Sequence, residues 1–186
     1  MSKRRRRARP SFWPALAARV LPAAPLLRLL AAFLSWLAVL SLILSALLNY
    51  SAFVPRVAAP AVAALSAFWL QALGIDVRRE GALLQGPSFA VGINDSCTGL
   101  IPFSIFVAGV LAYPASWRHR FAGVALGGLA IFAVNLVRVV SLFYIGSAWR
   151  AAFDTAHFLV WQSAIILLVV ALLIAWIERL PHAPSP

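Results

Sequence analysis

Long apolar runs separated by short polar segments dominate the chain. Uncharged runs cover residues 29–48, 97–117 and 158–177, and a further apolar run that begins at residue 121 contains only Asn135 and Arg138 as strongly polar residues. A helix of about 20 apolar residues crosses a hydrocarbon core about 30 Å thick. The pattern therefore predicts an all-α integral membrane protein, a polytopic bundle with about four spanning helices.

Residues 58–73 are apolar but short for a span, and Pro55 and Arg56 come just before them. Stretches of this length are often interfacial or re-entrant. We therefore predict a helix that lies on the outer leaflet or dips into it. A fifth spanning helix is the alternative.

Residues 75–93 are more polar and alternate between apolar and polar positions at Phe89 and Val91. Turn signals occur at Glu80-Gly81 and Gly86-Pro87. Alternation bounded by such turns is typical of short strands. We predict a small extracytoplasmic β-hairpin in this segment.

Composition supports one membrane-embedded unit. Of the 186 residues, 63% are hydrophobic and 11% are charged, and the mean hydropathy is +0.91. A chain of this length and composition is expected to form one helical bundle. We divide it into a basic cytoplasmic segment (1–25), a single transmembrane catalytic domain (26–180) and a cytoplasmic tail (181–186).

The formal charge of +11 owes much to a basic run between Lys3 and Arg9. We interpret this run as a cytoplasmic anchor under the positive-inside rule, not as a nucleic-acid-binding surface. Arg118 and Arg120 mark a second cytoplasmic loop by the same rule. Both termini are then cytoplasmic, and the protein is predicted in the inner (plasma) membrane.

The only cysteine, Cys97, stands at the start of an apolar run. Ser96 is a good N-cap residue there, and the N–H groups at a helix start favour a thiolate. Counting along the predicted helices brings Cys97 to the same extracytoplasmic level as Arg138 and His157. Packing as a small apolar side chain is the alternative for Cys97.

The other polar residues also have simpler interpretations. Arg138 shares a helix face with Asn135 and is predicted to point into the bundle, although it could instead snorkel to the outer headgroups. His157 alone is more often a cap or interface residue. We expect Asp154 to cap the helix that follows it rather than to orient the imidazole of His157.

The types of residue point to acyl transfer. One cysteine, one nearby histidine and an arginine do not make a plausible four-ligand metal site, and no cofactor is predicted. A Ser-Gly-His element, which acid-phosphatase-like membrane enzymes need, is absent from the sequence. A thiol nucleophile, an imidazole that moves protons and a guanidinium that holds an oxyanion suit attack on a peptide bond.

The order Cys97-Thr98-Gly99-Leu100, then Asn135-Leu-Val-Arg138, then His157 resembles the exosortase/archaeosortase family of membrane transpeptidases. The resemblance covers residues 90–177, and this chain resembles a short core form of the family. It implies cleavage of C-terminal sorting signals, each made of a short motif, a transmembrane helix and a basic tail.

The resemblance implies roles for the residues. Cys97 would be the nucleophile, His157 the acid and base, and Arg138 the electrostatic stabiliser. A supporting set would consist of Ser96, Thr98, Gly99, Asn135 and Asp154. The expected partners are the C-terminal tail of an exported substrate protein, membrane lipid, and an amine acceptor on a lipid or surface polymer.

A function of another class fits the same residues. In a non-catalytic assembly factor or scaffold for envelope proteins, the polar side chains would only lock helices together. Chemistry at Cys97 separates this alternative from a transpeptidase.

Overall fold

The computed structural model describes residues 24–180. The predicted basic segment (1–25) therefore lies almost wholly outside the described residues, as does the predicted tail (181–186). The described chain begins with a helix and ends just after one. Everything between them can be compared with the sequence pattern.

Within residues 24–180, five α-helices and one small sheet make up the fold. The helices are α1 (Ala24–Tyr50), α2 (Ala59–Ala72), α3 (Leu100–Ala112), α4 (Trp117–Ala148) and α5 (Gln162–Glu178). The strands are β1 (Arg78–Glu80), β2 (Leu83–Gln85) and β3 (Ala90–Gly92). Two π-helical segments, Val54–Ala58 and Thr155–Trp161, lead into α2 and α5, and two 3-10 turns occupy Asp95–Cys97 and Arg150–Ala152.

In the part of the chain that the structure describes, three apolar helical stretches are long enough to span a membrane. They are Pro25–Leu47, Trp117–Ala148 and Arg150–Glu178, the last of which joins the turn, the π-helical segment and α5. The predicted all-α membrane architecture is confirmed. The run 97–117, predicted as a span, forms only the 13 residues of α3, which measure about 20 Å at 1.5 Å per residue.

Both ends of α3 explain why it is short. At its start, Gly99 has a left-handed backbone with φ of 79°, so regular helix cannot extend back to Cys97. At its end, Tyr113 is extended, as expected for a residue that precedes a proline. An apolar run sets the upper limit of a helix, and local backbone conformation sets its actual length.

The predicted hairpin is instead a three-stranded antiparallel sheet in the order β1-β2-β3. Residue 80 pairs with 83 in the first turn, and residue 85 pairs with 90 in the second. The amide of Gly86 donates to the carbonyl of Phe89 over 2.8 Å. This bond closes the second turn, after which β3 pairs with β2 as a third strand. The sequence pattern placed the segment and both turns correctly but predicted too few strands, because strands of three residues give a weak alternation signal.

One apolar cluster joins the sheet to the helices beneath it. A face of small residues on α2, spaced three or four apart, packs against α4 and the sheet; such spacing places side chains on one side of a helix. The residues of this cluster are Ala59, Ala63, Ala67, Leu70, Val77, Leu84, Phe89, Ile93, Cys97, Val139 and Phe143. Cys97 thus sits at the edge of the core that fixes the sheet to the bundle.

A second cluster, made of Phe106, Val110, Ile131 and Val169, holds α3, α4 and α5 together. The ring of Phe106 packs directly over Gly127, where a Cβ atom would occupy the same space. A glycine at this position therefore allows α3 and α4 to approach closely. Because α3 packs against α1, α4 and α5, it is held centrally although it is short.

Candidate active site

Cys97 is the last residue of a 3-10 turn that leads into α3. The turn is closed by the amide of Cys97, which donates to the carbonyl of Asn94 over 2.9 Å. The hydroxyl of Thr98 donates to the carbonyl of Asp95 over 2.7 Å. We call residues 94–99 the nucleophile turn. Its internal hydrogen bonds hold the thiol in one place.

Gly99 ends the nucleophile turn, and its identity is explained by two constraints. Its φ of 79° is unfavourable for residues with a side chain. A Cβ atom there would also lie 3.3 Å from Cγ of Asn135. The predicted supporting residue Gly99 therefore allows the turn to lie against α4.

The predicted capping role of Ser96 is wrong. The N-cap of α3 is Gly99, and no side chain caps that helix. The hydroxyl of Ser96 instead donates to Oδ1 of Asn94 over 2.7 Å and lies 3.9 Å from Sγ of Cys97. The helix begins later than the apolar run suggested, so Ser96 belongs to the nucleophile turn.

Two side chains of α4 hold the nucleophile turn from below. Nδ2 of Asn135 donates to the carbonyl of Cys97 over 2.7 Å, and Nη1 of Arg138 donates to the carbonyl of Ser96 over 3.4 Å. Asn135 is 1% exposed and Arg138 is 3% exposed. The alternative in which Arg138 snorkels to the surface is therefore wrong, and the predicted shared face of Asn135 and Arg138 is confirmed.

His157 approaches Cys97 from the opposite side. Its Nε2 lies 3.9 Å from Sγ of Cys97, although 60 residues separate them in the chain. His157 is part of the π-helical segment Thr155–Trp161. π-Helical turns are rare in proteins, and those that occur are often found at functional sites. The thiol and the imidazole form a pair close enough for a hydrogen bond to sulfur.

Two aromatic rings hold the imidazole, and no sequence pattern indicated this role for either of them. The ring of Phe153 stacks on His157 with a centroid distance of 5.8 Å and an interplanar angle of 15°. The ring of Phe158 meets it edge-on at 4.6 Å. Both residues looked like ordinary apolar positions. Phe153 lies just before the π-helical segment, and Phe158 lies within it.

The expected cap at Asp154 is not formed. Asp154 stands at the N-cap of the π-helical segment but makes no side-chain hydrogen bond to it. Its side chain lines a cavity beside His157 instead. The alternative that the sequence analysis disfavoured, in which Asp154 orients the imidazole of His157, fits this position better.

The cavity above Cys97 has a volume of about 200 Å³. We call it the thiol cavity. Its walls are mainly apolar and come from the sheet, α4 and the segment that carries His157. The lining residues are Val91, Gly92, Ile93, Asn94, Cys97, Val139, Leu142, Phe153, Asp154, His157 and Phe158.

Arg138 lies on the other side of the nucleophile turn. It lines a separate cavity of about 150 Å³ between α3 and α5, together with Ser96 and Gln162. Its Nε is buried and has no hydrogen-bond partner among residues 24–180. Arg138 thus brings positive charge beneath the nucleophile turn.

The other histidine among the described residues, His119, lies away from this site. His119 is near the start of α4, where its Nδ1 is 2.7 Å from Oγ of Ser116 and its carbonyl accepts from Trp176. Within the described part of the chain, no three His, Cys, Asp or Glu side chains gather as metal ligands would. The arrangement at Cys97 is suited to nucleophilic attack with proton transfer.

Comparison with known proteins identifies one family. The family model for transmembrane exosortases matches residues 8–177, which includes the nucleophile turn, α4 and His157. No curated protein and no solved structure matches the chain.

Replacing Asn135 tests the support of the nucleophile turn. In Asn135→Leu the buried carbonyl of Cys97 loses its donor, which should lower the free energy of unfolding by about 1–3 kcal/mol. Thermal unfolding in detergent measures this loss, and the alkylation rate of Cys97 should rise as the turn loosens. Val137→Ala, at a position that is 58% exposed on the same helix, is the control. Unchanged stability and alkylation in Asn135→Leu would contradict the proposed support.

Proposed function

The chain belongs to the transmembrane exosortase family, and from this membership and its thiol–imidazole pair we propose that it is a membrane-embedded cysteine transpeptidase. Its substrates are exported proteins whose C-terminal sorting signal consists of a motif, a transmembrane helix and a basic tail. The observation that carries the proposal is the 3.9 Å distance between Sγ of Cys97 and Nε2 of His157 at the floor of the thiol cavity.

His157 starts the reaction by accepting the thiol proton of Cys97 at Nε2. The thiolate attacks the carbonyl carbon of the scissile peptide bond and forms a tetrahedral intermediate. When the intermediate collapses, the C–N bond breaks, and His157 gives its proton to the leaving amine. The products are a thioester on Cys97 and a released segment that carries the transmembrane helix and basic tail.

The second half-reaction returns the enzyme to its starting state. An amine carried by a lipid or surface polymer, or water, attacks the thioester carbon. His157 removes a proton from this nucleophile, the C–S bond breaks, and the proton returns to the sulfur. One imidazole therefore serves both halves, which its position beside the thiol in the lining of the cavity supports.

Arg138 and Asp154 have electrostatic roles in this proposal. The guanidinium beneath the nucleophile turn stabilises negative charge on the Cys97 sulfur and then on the oxyanion. Asp154 lines the thiol cavity beside His157 and favours the imidazolium form that exists between the two proton transfers. Phe153 and Phe158 keep the ring oriented through their contacts with it.

The orientation in the membrane follows from the charges of α4. Arg118 and Arg138 lie 20 residues apart on this helix, which corresponds to about 30 Å, the thickness of the hydrocarbon core. Under the positive-inside rule, the end with Arg118 and Arg120 is cytoplasmic. We therefore assign the thiol cavity to the extracytoplasmic face of the inner membrane.

Covalent catalysis is tested with purified protein and a tailed peptide, which has an extended polar segment, an apolar helix and an Arg-rich end. We expect a hydroxylamine-sensitive adduct on Cys97, and added amines should raise turnover and convert the product from acid to amide. Cys97→Ala should abolish cleavage and remain folded, and His119→Ala is a control histidine. Tail release by Cys97→Ala would exclude the thioester mechanism and favour the scaffold alternative.

Arg138→Lys tests whether the planar guanidinium is needed. Lysine keeps the charge but cannot donate several hydrogen bonds in one plane, so kcat should fall at least about 100-fold, the scale seen when an oxyanion donor is removed. Arg118→Lys, at the other end of α4, should retain full activity. Near-normal turnover by Arg138→Lys would show that charge alone is sufficient.

Orientation is tested with new exposed cysteines in a Cys97→Ala background, because Cys97 itself is only 7% exposed. A membrane-impermeant maleimide should label Glu80→Cys, in β1, in intact spheroplasts. It should label Ser116→Cys, before α4, only after permeabilisation. The reverse pattern would place the thiol cavity on the cytoplasmic side.

A further inference from the structure

β3 is an edge strand that borders the thiol cavity. Its inner side pairs with β2, and among residues 24–180 no strand pairs with its outer side. Val91, Gly92 and Ile93 line the thiol cavity together with Cys97. The unpaired edge therefore continues directly into the candidate active site.

The register of the sheet determines which backbone groups face outward. The amide of Gly86 donates to the carbonyl of Phe89, and the amide of Ile93 donates to the carbonyl of Ala82. The pairs 86/89 and 82/93 are therefore bonded pairs, and bonded and non-bonded pairs alternate in an antiparallel ladder. The pairs 83/92 and 85/90 are therefore non-bonded. The N–H and C=O groups of Ala90 and Gly92 point away from β2, towards the open edge.

Another wall of the thiol cavity is the segment that carries His157. Phe153, Asp154 and Phe158 stand on that side of the cavity, and Cys97 with Val139 lies at its floor. A helix about 10 Å across satisfies its own backbone groups and leaves those of Ala90 and Gly92 unpaired. An extended chain satisfies them, as peptides do when they add a strand to a sheet edge.

We propose that the substrate segment next to the cleavage site binds as an added strand on the open edge of β3, paired with the backbone of Ala90 and Gly92, so that its scissile carbonyl lies over Cys97. This inference rests on the proposed function and specifies how the substrate is held. Recognition then begins with the backbone of an extended peptide. Alternate side chains of that peptide face the apolar floor formed by Val139 and Leu142.

Gly92 provides a matched pair of variants for this proposal. A Cβ atom at Gly92 meets no atom within 4 Å, so Gly92→Ala keeps the outward N–H and is the reference for the effect of an added side chain at this position. Gly92→Pro removes the outward N–H, which no bond inside the sheet requires, and proline is tolerated at a strand edge. We expect Gly92→Pro to lower kcat/KM for the tailed peptide about 10-fold, the scale of one lost hydrogen bond.

A second measurement leaves the enzyme unchanged. The tailed peptide is N-methylated at one residue at a time through the segment around its cleavage site. Methylation at either one of two positions that are separated by a single residue should lower kcat/KM about 10-fold. Methylation at the residue between them should have little effect. This period of two is expected because alternate N–H groups of an extended strand face the same edge.

The outcomes separate this inference from the proposed function. Strand addition is wrong if native protein forms the thioester but N-methylation shows no period of two. It is also wrong if Gly92→Pro matches Gly92→Ala in kcat/KM. In both cases the proposed transpeptidase function still stands. If Cys97→Ala still releases the tail, the proposed function itself is wrong. A period of two with a selective loss in Gly92→Pro supports both.

Discussion

The hydrogen bond from Asn135 to the carbonyl of Cys97 fixes the rest of the site. It joins the nucleophile turn to the longest helix of the bundle over 2.7 Å, in a place where neither partner has water as an alternative. A buried carbonyl without a donor is costly, so the turn is held where this bond can form. Gly99 is needed for the same reason, because a side chain there would meet Asn135.

Arg138 shows how a charge is accommodated next to this turn. Its guanidinium is buried in α4 and donates to the carbonyl of Ser96, but Nε has no partner in the described chain. Charged groups within membrane-spanning helices are expensive and normally face a partner or a functional cavity. In the proposed reaction that partner is negative charge that appears on the sulfur and the oxyanion. The incompletely paired guanidinium is then suited to the transition state rather than to the resting enzyme.

The thiol cavity combines two kinds of element with different tasks. Helices α3, α4 and α5 supply the rigid support, and their packing depends on close contacts such as that of Phe106 over Gly127. The small sheet is joined to α4 through Phe89 and Phe143, whose rings meet at 5.8 Å. This contact sets the position of β3 relative to Cys97. A site assembled in this way can hold an extended chain beside a nucleophile at the boundary of a membrane.

Hydropathy and residue type alone determined the membrane architecture, the shared level of Cys97, Arg138 and His157, and the family resemblance, because helix rise and apolar length are local properties. Tertiary structure decided where α3 begins, since the left-handed Gly99 ends the nucleophile turn in close contact with Asn135. It also decided that Asp154 lines the cavity, that Phe153 and Phe158 hold the imidazole, and that a third strand borders Cys97. These features depend on a π-helical register and on contacts between residues distant in the chain, which the periodicity of the sequence does not encode.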